Sequence, residues 1–180
     1  LYGLDLEHTH RFAWQCLMAR RMVERGVRFV ELIDVGVGGG GNWDHHQDMP
    51  QHAKLAHNVD QPLAGLIRDL KARGMFEDTL VVWTTEFGRG PVEQNKLGRN
   101  HYCKVYSSWL AGGGVKPGTV YGSSDELGMK PEENPVHLHD FHATILHILG
   151  FDHERLTYRH DGRDFRLTDV HGDVVKGVLA

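Results

Sequence analysis

Three stretches of the chain repeat their apolar residues at helical spacing, and each is predicted to form an amphipathic helix. They are residues 5–25, 55–70 and 138–149. Pro62 falls inside the second stretch. It either kinks one helix or separates two, with Asp60 as the cap of the second helix.

Short apolar runs rich in β-branched residues alternate with these helices and predict strands. The main runs are residues 28–35, 79–84 and 104–111, with shorter strands expected at 115–121 and after residue 156. Residues 36–41, 85–100 and 131–136 are expected to be loops, the first of them a flexible glycine loop. Strand–helix alternation predicts an α/β fold with a mainly parallel sheet. We expect one domain over residues 1–180, with 151–180 as a tail packed on it.

Composition narrows the function classes. The 180 residues are 40% hydrophobic and 24% charged, which is ordinary for a globular domain. The formal net charge is −4 and no basic stripe stands out, so nucleic acid is not an expected partner. No apolar run approaches the roughly 20 residues of a spanning helix, so no membrane span is expected. The two cysteines, Cys16 and Cys103, are too few for a disulfide framework.

Asp44 and His46 are the first candidates for metal ligands. Side chains two residues apart in an extended segment point the same way, so this pair can chelate one divalent ion. Further ligands must come from elsewhere, and Glu86 and His101 are the available candidates. The alternative is that Asp44 caps the following helix and the histidines are polar loop residues.

Glu86 follows a predicted buried strand, and open α/β sheets bind ligands beyond such strand ends. Its alternative role is an ion pair with Arg89 or Arg99. These two arginines can bind an anionic group bidentately, or they are surface residues of a loop. His137 and His139 form a further possible ligand pair just before the last helix.

Nine segments, taken in their order along the chain, together resemble the bacterial domain-of-unknown-function 1501 family, which is sulfatase-like. The resemblance covers essentially the whole chain. The segments are RRMVERGV (20–27), WDHH (43–46), DQP (60–62), DTLVV (78–82), EFGR (86–89), GRNH (98–101), LAGGG (110–114), DFHATIL (140–146) and GRDFRLT (162–168).

That family is similar to the alkaline phosphatase and sulfatase superfamily, whose fold is a three-layer α/β/α sandwich. The resemblance implies a metal-dependent hydrolase of sulfate or phosphate esters. Its substrate would be a small-molecule or polysaccharide anionic ester, and its cofactor a divalent metal such as zinc, calcium or magnesium. It further implies that Asp44, His46, Glu86 and His101 bind the metal. It also implies an exported protein, periplasmic or secreted, of which this chain is the C-terminal part.

The chain departs from the superfamily pattern at the expected metal site. Phe87 stands where the superfamily usually has a histidine ligand, and Asp48 stands four positions after Asp44, where the phosphatases have histidine. No C-x-P-x-R sulfatase signature is present, and the nucleophile is expected outside this chain. These departures keep a second hypothesis open, a non-catalytic secreted or envelope binding protein that retains the fold.

Overall fold

The structure is a computed structural model that describes residues 1–35 and 42–180. The expected glycine loop at 36–41 lies outside the described residues. The described chain divides into two compact units. The first unit comprises residues 1–79 and 87–103, and the second comprises residues 80–86 and 104–180.

The first unit is built on two packed helices, α1 (His10–Glu24) and α2 (Gln51–Ala72). Their buried faces follow the helical spacing of the sequence, so both predicted helices are confirmed. Pro62 lies inside one continuous α2 and is fully buried, so the alternative of two separate helices is wrong. Proline lacks the backbone N–H that would form a helical hydrogen bond at this position, which weakens the helix. Burial of the apolar Pro62 ring stabilises the helix in compensation.

The start of the chain crosses α2 at Gly65. A Cβ at Gly65 would lie 2.9 Å from the carbonyl oxygen of Leu1 and 3.0 Å from the Cα of Tyr2. Only a glycine therefore lets the backbone approach the helix this closely. The approach brings the Tyr2 ring into the buried core.

Asp69 on α2 joins the three segments of this core. Its Oδ2 accepts hydrogen bonds from the Tyr2 hydroxyl at 2.8 Å and from Arg20 Nε at 2.9 Å, while Oδ1 accepts one from Arg73 Nε at 2.8 Å. Burial raises the pKa of the Asp69 carboxyl, but these hydrogen bonds and the arginine charges outweigh it, so the pKa is lowered. Arg20 and Asp69 are both buried and form an ion pair, and each also pairs with a more exposed residue, Arg20 with Glu24 and Asp69 with Arg73.

Eight short strands form four antiparallel pairs in the described residues. The pairs are β1 (Val81–Trp83) with β4 (Trp109–Ala111), β2 (Gly88–Gln94) with β3 (Gly98–Tyr102), β5 (Ser123–Ser124) with β6 (Pro131–Glu133), and β7 (Thr157–His160) with β8 (Arg163–Arg166). The β2–β3 pair belongs to the first unit and the other three to the second.

The expected three-layer α/β/α sandwich with a mainly parallel sheet is therefore wrong for the part of the chain that the structure describes. Residues 28–35 form no strand, although their apolar run predicted one. Residues 85–100 and 131–136, expected to be loops, contain strands instead. Parallel strands need long crossover connections. In three of the four pairs the partners are consecutive strands joined by a short connection, and β1–β4 is the exception.

The β2–β3 hairpin turns at Asn95 and Lys96, whose φ values are 50° and 73°. Its strands are rich in glycine and charged residues and show no apolar alternation, which is why the sequence pattern predicts a loop. Arg89 on β2 lies opposite His101 on β3. The hairpin thus places two candidate site residues side by side.

The second unit contains helix α3 (Leu138–Ile148), which confirms the third predicted helix. His137 caps it: its Nδ1 accepts from the backbone N–H of His139 at 3.2 Å, while Asp140 Oδ2 accepts from the N–H of His137 at 2.9 Å. The 151–180 segment contacts this helix, because Asp140 Oδ1 accepts from the N–H of Asp173 at 2.9 Å. Among the described residues, no helix is long and apolar enough to cross a membrane.

Replacing Asp69 with asparagine should destabilise the protein at neutral pH by about 3 kcal/mol, because Arg20 loses its buried charge partner and keeps only the more exposed Glu24. The pKa of Asp69 is lowered by folding, so its contribution is present above the unfolded pKa of about 3.9 and is lost as the pH falls through the folded pKa. Urea denaturation at a series of pH values should therefore show the difference between the parent and Asp69→Asn narrowing below about pH 4. Asp60→Asn, on the exposed side of the same helix, is the control, and an equal loss there would contradict the role of the Asp69 network.

Candidate metal centre

Three side chains of the first unit bring one ligand atom each to a common point. Asp44 Oδ1 lies 2.7 Å from His101 Nε2 and 3.0 Å from His46 Nε2, and the two imidazole nitrogens are 3.0 Å apart. Three of the four predicted ligands therefore lie together. Each side chain is between 32% and 44% exposed, so the cluster is open to a small solute.

Asp44 and His46 belong to a segment, residues 43–49, that runs along the tip of the β2–β3 hairpin. The N–H of Met49 donates to the Leu97 carbonyl at 3.0 Å, and the N–H of Arg99 donates to the His45 carbonyl at 3.4 Å. Asp44 and His46 of this segment and His101 of β3 are thus held together by backbone contacts between the segment and the hairpin.

Gly98 makes this approach possible. A Cβ at Gly98 would overlap the backbone carbonyl of His46 and lie 2.5 Å from the backbone nitrogen of Gln47. Backbone atoms cannot move aside as the end of a flexible side chain can, so any larger residue would push the segment away. Gly98 is buried at this contact.

Arg89 holds the same segment from the other strand. Its Nη2 donates to Asp44 Oδ1 at 2.8 Å and to the Trp43 carbonyl at 3.0 Å, while Nη1 donates to the Arg99 carbonyl at 3.1 Å. The hydrogen bonds from His101 and Arg89 lower the pKa of the Asp44 carboxyl below its ordinary range. Asp44 is therefore a carboxylate throughout the physiological pH range.

The two arginines expected to bind an anion both hydrogen-bond to carbonyls of their own unit. Arg99 Nη1 donates to the Pro91 carbonyl at 2.5 Å, and Arg89 makes the contacts described above. Glu86, the fourth predicted ligand, belongs to the second unit, where its carboxylate accepts from the Thr85 hydroxyl at 3.0 Å. The alternative role for Asp44 is not found, because α2 follows Pro50 and has no side-chain cap.

The sequence reasoning missed Gln94, Asp34 and His52. Gln94 Oε1 lies 2.9 Å from His46 Nδ1, on the side of the ring away from the cluster. Asp34 Oδ2 accepts from the Trp43 indole N–H at 2.8 Å, and His52 Nε2 lies 2.9 Å from the Trp43 carbonyl, so both fix the start of the segment. Only the tertiary contacts distinguish these polar residues from others in the chain.

His45 lies between the two ligands in sequence but does not join the cluster. Its ring packs against His52, with 4.9 Å between ring centroids, and its Nδ1 is buried without a hydrogen-bond partner among the described residues. Burial lowers the pKa of His45, so a neutral imidazole is favoured there. Alternation along the segment therefore separates a packing histidine, His45, from a histidine of the cluster, His46.

The spacing of the cluster suits one small divalent ion. Ligand atoms about 2.0–2.1 Å from a common ion, at angles between about 90° and 110°, lie about 2.9–3.4 Å from one another. Two of the three observed separations, at 3.0 Å, fall within this range and the third, at 2.7 Å, lies just below it, so small side-chain rotations suffice. The Phe87 ring lies 4.3 Å from the His101 ring, between centroids, and gives the centre an apolar side.

Comparison with known proteins identifies the family. Residues 1–179 match the profile of the family described as "Protein of unknown function (DUF1501)". The chain belongs to this family. Searches of curated proteins and of solved structures found no match to the chain. The match confirms the predicted membership of the domain-of-unknown-function 1501 family. The family description names no activity.

Gly98→Ala should displace residues 45–49 and separate His46 from His101, although no ligand is changed. Amide and imidazole NMR shifts of the full chain report this displacement, and we expect changes concentrated at residues 43–49 and at His101. Gly90→Ala on β2 is the matched control, because the nearest atom to its new Cβ lies at 3.8 Å. Equal spectra for Gly98→Ala and the parent would show that the close contact does not organise the centre.

Proposed function

We propose that Asp44, His46 and His101 bind one divalent metal ion and that the chain serves as part of a metal-dependent hydrolase of sulfate or phosphate esters. The observation that carries the proposal is the convergence of one carboxylate oxygen and two imidazole nitrogens within 3.0 Å of one another. The three ligands come from two segments that fold against each other, so the grouping is a product of the tertiary structure.

The donor set favours zinc over the other candidate metals. Two imidazoles and one carboxylate are ligands that zinc takes readily, and catalytic zinc sites often use three protein ligands with a further position open. Calcium and magnesium prefer sites made of oxygen atoms. A bound zinc ion would supply Lewis acidity to an ester oxygen.

Neighbouring residues of the chain hold the three proposed ligands in position. Arg89 keeps Asp44 ionised and in place, and the ring of Phe87 against His101 limits the positions that this imidazole can take. The partial exposure of all three ligands leaves room for a substrate group. The ester class of the substrate, the sulfatase-like assignment and an exported location rest on the resemblance described for the sequence.

A second candidate function is binding without catalysis. It is favoured by the engagement of Arg89 and Arg99 with backbone carbonyls, and of Arg89 with Asp44, because these contacts occupy guanidinium nitrogens that would otherwise bind an anionic substrate. A protein of this kind would hold a metal or an anionic ester and leave it unchanged. Both candidate functions use the proposed metal centre, and they differ in whether the bound ester is hydrolysed.

Zinc content tests the shared centre directly. The purified full chain, loaded with zinc and desalted, should contain about one equivalent by elemental mass spectrometry, and Asp44→Ala and His101→Ala should lose it because two ligands hold zinc far more weakly than three. His57→Ala, which removes an exposed histidine of α2 outside the cluster, should keep it. A parent that binds no zinc, or variants that all bind alike, would contradict the proposal.

Ester hydrolysis separates the two candidates. The zinc-loaded protein, supplied as the longest chain that contains this segment, should hydrolyse an aryl sulfate or aryl phosphate, and the activity should disappear with His101→Ala. Zinc binding without turnover of either ester would favour the binding protein.

A further inference from the structure

His46 has two ring nitrogens, and the structure gives each a different partner. Nε2 faces the cluster, 3.0 Å from both Asp44 Oδ1 and His101 Nε2. Nδ1 faces away from it, 2.9 Å from the amide oxygen of Gln94. The two sides of the ring therefore compete for the single proton of a neutral imidazole.

The competition has two outcomes. If the proton sits on Nε2, His46 donates to the Asp44 carboxylate, and the nitrogen that faces the cluster has no lone pair for a metal. If the proton sits on Nδ1, His46 donates to the Gln94 oxygen, and Nε2 presents its lone pair to the cluster. An amide oxygen only accepts, so for a neutral ring its contact with Nδ1 favours the second arrangement.

We propose that Gln94 is a positioning residue that fixes His46 in its Nδ1–H form and so makes Nε2 the metal ligand. This inference rests on the proposed metal centre and adds a residue that the ligand set does not contain. Metal-binding histidines commonly donate their second N–H to an oxygen acceptor, which fixes the tautomer and the ring orientation.

Gln94 is well placed for this role because its own position is fixed. It is the last residue of β2 and pairs with Gly98, the residue that contacts the His46 backbone. The neighbouring Asn95 donates from Nδ2 to the His46 carbonyl at 3.4 Å. The hairpin tip thus holds the backbone of His46 with one residue and its ring with the next.

The proposed proton arrangement also explains why a cation suits the cluster. With Nδ1–H on His46, both Asp44 Oδ1 and His46 Nε2 are acceptors 3.0 Å apart, with no proton of their own between them. Arg89 donates to Asp44 Oδ1, while the single Nε2–H of His101 is shared between this oxygen and His46 Nε2. A divalent ion at the centre would bind both of these lone pairs, and His101 would join them through Nε2 with its own ring proton on Nδ1.

The test measures the tautomer and the affinity separately. Long-range ¹H–¹⁵N correlation spectra of the metal-free full chain, with ¹⁵N in the histidine rings, assign the proton of His46. We expect Nδ1–H in the parent and a shift toward Nε2–H in Gln94→Met, which keeps the length of the side chain and removes the acceptor. Zinc affinity should fall about 10- to 100-fold in Gln94→Met.

Two further variants make the result specific. Gln94→Glu keeps an oxygen acceptor, so it should retain the Nδ1–H form and parental or tighter zinc binding. Glu93→Met makes the same new side chain at the neighbouring exposed position of β2 and should change neither property. A parent in the Nε2–H form, or a Gln94→Met variant with unchanged tautomer and affinity, would overturn the inference. A parent that binds no zinc would overturn the proposed function, while the tautomer measurement would still decide the role of Gln94.

Discussion

The close contact between the tip of the β2–β3 hairpin and the segment 43–49 is the constraint on which the centre depends. His46 and His101 are 55 positions apart in sequence, yet their Nε2 atoms lie 3.0 Å apart. Gly98 allows the two backbones to meet, and backbone hydrogen bonds at Met49 and Arg99 hold them. Because the contact is made mainly by backbone atoms, one added methyl group at Gly98 has more effect on the centre than many changes to exposed side chains.

Arg89 gives the centre a cation of its own in the metal-free protein. Its guanidinium holds Asp44 and two backbone carbonyls, so this carboxylate is ordered by the chain itself. The positive charge of Arg89 would also repel a divalent ion at the centre, which would weaken the binding of that ion.

The sequence predicted the helices better than the sheet, and the reason is physical. Helical periodicity is a property of one segment, so α1, α2 and α3 could be found from spacing alone. Pairing partners are a property of two segments, and residues 28–35 show that an apolar run with strand composition need not find one. Conversely, β2 and β3 pair despite their glycines and charges, because a turn at Asn95 and Lys96 brings them together.

The candidate site likewise has residues that local sequence spacing predicts and residues whose roles depend on tertiary contacts. Alternation correctly placed Asp44 and His46 on one side of their segment, with His45 packed elsewhere. Gln94 and Gly98 could not be found in this way, because their roles arise only when the hairpin register sets them against His46. A ligand set drawn from two distant segments needs residues that bind no metal but fix the register and the proton positions. In this chain Gly98 and Gln94 lie at the hairpin tip, where we propose that they fill these two roles for the three side chains of the cluster.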